Sequence, residues 1–458
     1  MFLDWRGQEV TASSAATVEG IDAFAVNFLA YENGAGKVLK AADEDPDSTL
    51  ANAYAAMLWM FMERADAPTK ARPYLARAQK AARLANERER MVLGAVEAWV
   101  DGDVPRAIRV GEELLDRYPR EMAIAKACQY HHFNLGDPPG MLRVAHKVMG
   151  ENADLPWTHG LAAFAYEQSH MLADAERCAR QAIAIRRKEP WAHHALAHVF
   201  LTQGRTGEAR AFLEDVKESW TNLNSFMFTH AWWHFSLVLI DQGETDRILS
   251  FYDQNIWGVW KEYSQDQIGA VSLLSRLEMV GVDVGDRWQD LGNYLATRVH
   301  DHVQPFLSMQ YLYGLARAGR PEADAMMASI REHARTCPVF ARPAWSEVAV
   351  PACEGLLAHA RGDGETTVRK MGIALPRLTE IGGSHAQRGL FEQVMLDALI
   401  RTGRYVAAQQ ILEQMRGAYP DSRPLYPKLE DIYVRLGLPE EAARIAAAAK
   451  ARGIRGYA

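Results

Sequence analysis

Apolar residues recur at three- and four-residue steps along most of the chain, as from Ala173 to Ile185 and from Glu208 to Val216. That spacing lays a stripe along one face of a helix. No alternating apolar–polar run of any length occurs, so strands are not predicted. Pro190 stands just before a new helix, and Glu440 to Arg452 reads as an alanine-rich amphipathic helix that caps the chain. The pattern predicts an almost entirely α-helical fold.

Glycine sets a register on this pattern. Gly34, Gly102, Gly136 and Gly204, and later Gly403 and Gly437, are separated by 34 residues or a multiple of it within each group, with Pro68 and His170 at the vacant marks. Small residues keep the same phase. Ala107, Ala175, Ala209, Ala408 and Ala442 stand five after a mark, and Ala95, Ala163 and Ala197 stand seven before one. A period of 34 residues is that of the tetratricopeptide repeat, a helix pair that buries its apolar face only against neighbouring pairs. Between Gly204 and Gly403 the marks at Gly243, Gly281, Gly319 and Gly362 are looser. The expected architecture is an all-α superhelix, a tetratricopeptide-repeat-like solenoid of about ten to eleven helix pairs. Residues 1–20 are expected as a leader, with Trp5 against the first pair. Residues 21–458 are expected as one solenoid, regular to about 215, longer and irregular over 216–400, and regular again with a cap over 401–458.

A chain of 458 residues exceeds a single compact core unless it is a repeat array. A net charge of -7 with no basic stripe argues against a nucleic-acid partner. The four cysteines, Cys128, Cys178, Cys337 and Cys353, form no close pair and no metal spacing. No stretch approaches a membrane span or a secretory leader, so a cytoplasmic protein with no membrane partner is expected. The acidic run Asp43 to Asp47 reads as a solvated loop, and Arg186-Arg187-Lys188 as charge at a helix end.

Chemistry concentrates in the middle of the chain. Ten of the 15 histidines fall between residues 131 and 234, two pairs of them at i, i+4 spacing: His194 with His198 and His230 with His234. Trp191-Ala-x-His194-x-x-x-His198, His230-x-x-Trp233-His234, Ser272-Leu-Leu with Gly281-Val-Asp-Val-Gly-Asp-Arg-Trp288, and Gly382-Gly-Ser-His385-Ala-Gln-Arg388 together resemble the tetratricopeptide repeat protein 38 family over about residues 157–400. Ser308 and Gln310 after Phe306 replace an Asp-x-His pair usual in that family, and Ser275 replaces a common tryptophan. That family has no well-established activity, so the resemblance implies an architecture and a pocket.

By resemblance to the repeat, the first helix of each pair lines the concave face. This places Trp157, Phe164 and Glu167, then Trp191, His194 and His198, then His230 and Trp233 in the groove, with Tyr130 and Phe133 extending its wall and His234 close by. His385, Arg388 and Glu392 face the same space if the superhelix curls round. The expected ligand is a peptide or an amphipathic small molecule. An enzyme of hydrolase or lyase class, using His194, His198, His230 or His234 with Glu167 or Glu392, is the alternative. No nucleophile motif, phosphate loop or dinucleotide fingerprint is present. Neither metal nor cofactor is expected: the register lets at most three of the four imidazoles meet, and no His-Glu-x-x-His accompanies them. His131, His132, His146, His170, His300, His302, His333 and His359 are expected to serve as polar glue between helices, and His193 and His159 lean the same way. Trp99, Trp288 and Trp345 are expected in the core.

Overall fold

The computed structural model describes residues 2–454. Among them are 24 α-helices and a single short hairpin, Phe2–Leu3 against Glu9–Val10. The fold is an all-α superhelix of antiparallel helix pairs. Taken two by two, the helices make a pair or two more than expected, because a helix already begins at Ala15, inside the stretch anticipated as a leader.

The marks of the glycine register are helix stops. Gly102, Gly136, Gly204, Gly243, Gly281, Gly319, Gly362, Gly403 and Gly437 all have φ between 65° and 86°, and His170 takes the same place at 57°. At these stops the next residue's N–H reaches back to the carbonyl five positions earlier, as Asp103 to Ala98 at 2.8 Å and Arg205 to Phe200 at 2.9 Å. This is the Schellman closure, which needs a left-handed residue and therefore favours glycine. The first two marks are different. Tyr31 at φ 57° and Glu63 at φ 51° take the left-handed place instead of Gly34 and Pro68.

The two helices of a pair differ in burial. In the outer helix Leu172–Ile185 only Ala175, Cys178, Ala179 and Ala182 are buried, a single stripe. In the inner helix Pro190–Thr202 every residue from Ala192 to Phe200 is buried. A helix enclosed all round has neighbours on every side. Here the extra neighbours come from the superhelix meeting itself. Ala65 N–H donates to Asp301 at 2.9 Å, and Gln304 donates to Tyr130 at 2.6 Å. Further along, Gly136 and Gly382 press against Thr379 and Asn134, and Arg423 N–H reaches Asp241 O at 2.8 Å. A hydrogen-bonded seam thus joins residues 174 to 241 positions apart.

Two surface expectations are corrected. Asp45 is buried, accepting from Ser13 N–H at 2.8 Å and Thr17 Oγ1 at 2.9 Å, so the acidic run is partly a helix end held by the N-terminal segment. Arg186 and Lys188 do not simply decorate a helix end: both pair with Glu32, at 2.6 and 2.8 Å. No helix of the described residues is long and apolar enough to cross a membrane.

Candidate functional site

Four inner helices converge on the middle of the concave face: Met122–Asn134, Pro156–Gln168, Pro190–Thr202 and Ser225–Asp241. Pro190 opens the third, and the Asn224 side chain caps the fourth by accepting from Met227 N–H. The paired histidines of the last two project toward one another. His198 Nε2 lies 3.0 Å from His194 Nε2, which lies 3.1 Å from His230 Nε2, which lies 3.2 Å from His234 Nε2. The ligand atoms of His194, His230 and His234 all fall within 4.8 Å of one another. Burial chiefly holds His194, His230 and His234 below the ordinary imidazole pKa: His230 at about 3, and His194 and His234 well below the usual range.

A cavity of about 320 Å³ lies on one side of this cluster, with His194 and His230 in its wall. Aromatic rings form a large part of that wall. Trp191 stacks on His194 with centroids 4.4 Å apart and on Tyr31 at 5.0 Å, Phe164 meets Trp191 edge-on at 4.7 Å, and Phe226 stacks on His230 at 5.2 Å. Residues 27–36 roof the space. Tyr31 O accepts from Asn224 N–H at 2.7 Å, and Glu32 is the carboxylate held by Arg186 and Lys188. Lys126 donates to Phe28 O and sits 3.2 Å from the Tyr31 ring centroid, its pKa pushed far down by burial. Across the cavity, burial raises the Glu63 pKa, while Gln265, Tyr130 and Gln304 donate to its carboxylate.

A second, more polar cavity of about 620 Å³ lies on the other side, lined among others by His170, His198, Arg276, His385, Arg388 and Glu392. Glu167 Oε1 stands 3.4 Å from His198 Nδ1. Burial raises the Glu167 pKa, but His198 and His385 together outweigh it and hold the carboxyl below its ordinary value. His385 packs on His170 with centroids 4.3 Å apart, accepts from Arg388 at 3.2 Å, and is held at about 4 by burial. The imidazole cluster is therefore a partition between two chambers.

Of the residues singled out in the sequence, Phe164, Trp191, His194, His230, Tyr130 and Phe133 line the first cavity. His198, His385, Arg388 and Glu392 line the second. Glu167 and His234 stand behind His198 and His230. Two tryptophans do not face a chamber as expected. Trp157 is covered by Trp5, whose ring meets it edge-on at 5.7 Å, so the N-terminal segment reaches the fifth helix pair as well as the first, where Trp5 N–H donates to Asp22 at 3.0 Å as expected. Trp233 is 1% exposed, stacked on His230 at 5.3 Å with Arg276 over its ring. His170, expected as glue, lines the second cavity instead, while several of the other histidines do serve as glue. His132 bridges Asp137 and Glu112 at 2.8 and 2.9 Å, His359 bridges Tyr313 and Asp397 at 2.8 Å each, and His193 accepts from Trp220 at 3.2 Å. Sequence reasoning missed Tyr31, Glu63 and Lys126. Gly34 keeps the register in the sequence, so nothing marked Tyr31; the proline at the vacant mark, Pro68, is the one sign near Glu63, and nothing local marks a lysine within an alanine-rich inner helix.

No protein-family model matches the chain. Among solved structures it is similar to human IFIT1, solved as a dimer with m7Gppp-AAAA, at 13% identity over 97% of this chain and 91% of that one, with a TM-score of 0.37. It is also similar to Naa15/Naa10 bound to HypK-THB, at 12% identity over 94% and 68% with a TM-score of 0.25. A third likeness is the Cut9–Hcn1 hetero-tetramer of APC/C, at 12% identity over 81% and 94% with a TM-score of 0.26.

Proposed function

We propose that the chain binds an amphipathic small molecule with a flat apolar body and an acceptor group, held in the aromatic cavity beneath residues 27–36. The carrying observation is the chemistry of that cavity's wall. Its flat faces are Trp191, Phe164, Tyr31 and Phe226, while the Nε1 of Trp191 is a buried donor without a partner. Lys126, bonded only to Phe28 O, keeps at least one further N–H to give even as a neutral amine. A set of donors inside an apolar box favours a carboxylate or carbonyl on an aromatic frame. The volume is at the small end of the range for organic ligands, roughly 300–1,000 Å³. An extended peptide is disfavoured because residues 27–36 occupy the concave face along which it would lie. Kinship with the tetratricopeptide repeat protein 38 family and a cytoplasmic setting belong to the same reading; the first is supported by the motifs around Trp191 and His230, the second by four buried, unpaired cysteines.

The test is titration with 2-naphthoate, followed by quenching of tryptophan fluorescence. Saturable quenching and a raised Tm are expected, both lost in Trp191→Leu and Lys126→Met. Quenching that is unchanged in these variants, or absent from the wild type, sinks the reading.

A second reading, acid–base catalysis, draws on the Glu167–His198 contact at the edge of the polar chamber. It requires Glu167→Gln to abolish turnover of a substrate that the polar chamber admits.

A further inference from the structure

Hydrogen bonding alone does not account for the imidazole string. Each of its three contacts joins one Nε2 to another, at 3.0, 3.1 and 3.2 Å. The Nε2 of a neutral imidazole offers either one N–H or one lone pair. Four such atoms close at most two linear hydrogen bonds, so one of the three contacts brings two nitrogens together with no bond between them. A cation in their midst removes the conflict, because every ring then turns its lone pair inward.

The distances fit that arrangement. Imidazole nitrogens about 2.0–2.1 Å from a tetrahedral ion stand about 3.3 Å from one another; His194 to His230 and His230 to His234 match that at 3.1 and 3.2 Å, and the ligand atoms of all three lie within 4.8 Å of one another. Behind the string, the carboxylate of Glu167 lies 3.4 Å from His198 Nδ1. A carboxylate in that position accepts a hydrogen bond from Nδ1–H, fixes the tautomer of His198 and turns its Nε2 lone pair toward His194.

We propose that His194, His230 and His234 bind a divalent first-row transition ion of the zinc type, with His198, held by Glu167 and 3.0 Å from His194, as the neighbour that orients His194 toward the ion. The ligand set is nitrogen only, which suits zinc, copper, iron or nickel over magnesium or calcium. This sets aside the expectation that no metal is held. The site lies in the partition between the chambers, since His194 and His230 border one cavity and His198 the other. It rests on imidazole geometry and stands whether or not the aromatic cavity takes a carboxylate ligand.

The decisive experiment is titration of the chelator-stripped full chain with cobalt(II), followed by its visible ligand-field bands, with zinc as competitor. One cobalt per chain with tetrahedral bands, displaced by one zinc, is expected. Glu167→Gln weakens zinc binding by about 10- to 100-fold, and His234→Ala abolishes the bands. Lys126→Met retains them in full, so that loss of the metal and loss of the organic ligand are read separately. Absence of cobalt bands from the wild type at a hundredfold excess of metal overturns the proposal, as do bands that survive His234→Ala. The wild-type titration decides the matter even if His234→Ala does not fold.

Discussion

Glu189 enters the fold at the threshold of the Pro190–Thr202 helix with no surface exposed and no side-chain hydrogen-bond partner, the Trp191 backbone N–H alone approaching its carboxylate. Burial raises its pKa to about 8, against the opposing pull of Arg186 and Lys126. A carboxyl whose folded pKa exceeds its unfolded value contributes full stability only below about pH 4.5, and that stability is lost as pH rises through about 8. Glu189→Gln should therefore stabilise the fold at pH 8.5 by on the order of 2–3 kcal/mol, seen as a raised Tm, and give little at pH 4.5. A gain of equal size at both pH values contradicts this account and is read by thermal melts across the range. At this scale the sequence was informative about types and silent about partners. The i, i+4 histidine pairs were legible, because helical spacing alone puts each pair on one face. Glu189 was not: its burial follows from packing against Gly160, whose missing side chain leaves room for the carboxylate.

Between residues and the whole, the helix stops are the unit that could be read best. One left-handed residue per inner helix recurs because the Schellman closure recurs, and the register followed it through most of the chain. It failed where a large residue takes that conformation, at Tyr31 and Glu63, and both of these line the aromatic cavity. Such backbone is costly for a bulky side chain and persists only when its surroundings hold it. Trp233 misled for a related reason. Its helix belongs to the loosened repeats, and the neighbouring Ser264–Met279 helix brings Arg276 over the indole, so the stripe that faces the chamber is displaced from the one the regular repeat implies. The stops also offer a graded test. Gly102 has open space where a Cβ would go, whereas at Gly136 a Cβ would strike the carbonyl of Thr379. Gly102→Ala should cost about 1 kcal/mol from the backbone alone, and Gly136→Ala distinctly more. Denaturant melts giving the two variants equal losses would show that the close approach at Gly136 carries no weight.

At the scale of the molecule, the feature the sequence hid is the seam. Its contacts join positions 174 to 241 residues apart, and no local pattern encodes a curvature tight enough to make them. Repeat arrays ordinarily have neighbour-only contacts and can lose end units independently. Here Asp301 and Asp241 tie distant turns together, through Ala65 N–H and through Ser422 Oγ at 2.8 Å. The wild type should unfold in one transition, and the double variant Asp241→Ala/Asp301→Ala in a broader or stepped one. Coincidence of circular dichroism and tryptophan fluorescence curves in both proteins would count against the seam. The closure also bears on traffic. A molecule lodged beneath residues 27–36 has a strap tethered by Arg186 and Lys188 above it and a stitched wall around it. Its residence time is then set by how often the hoop springs open, so loosening Glu32 should quicken both entry and escape while leaving the equilibrium between them almost untouched.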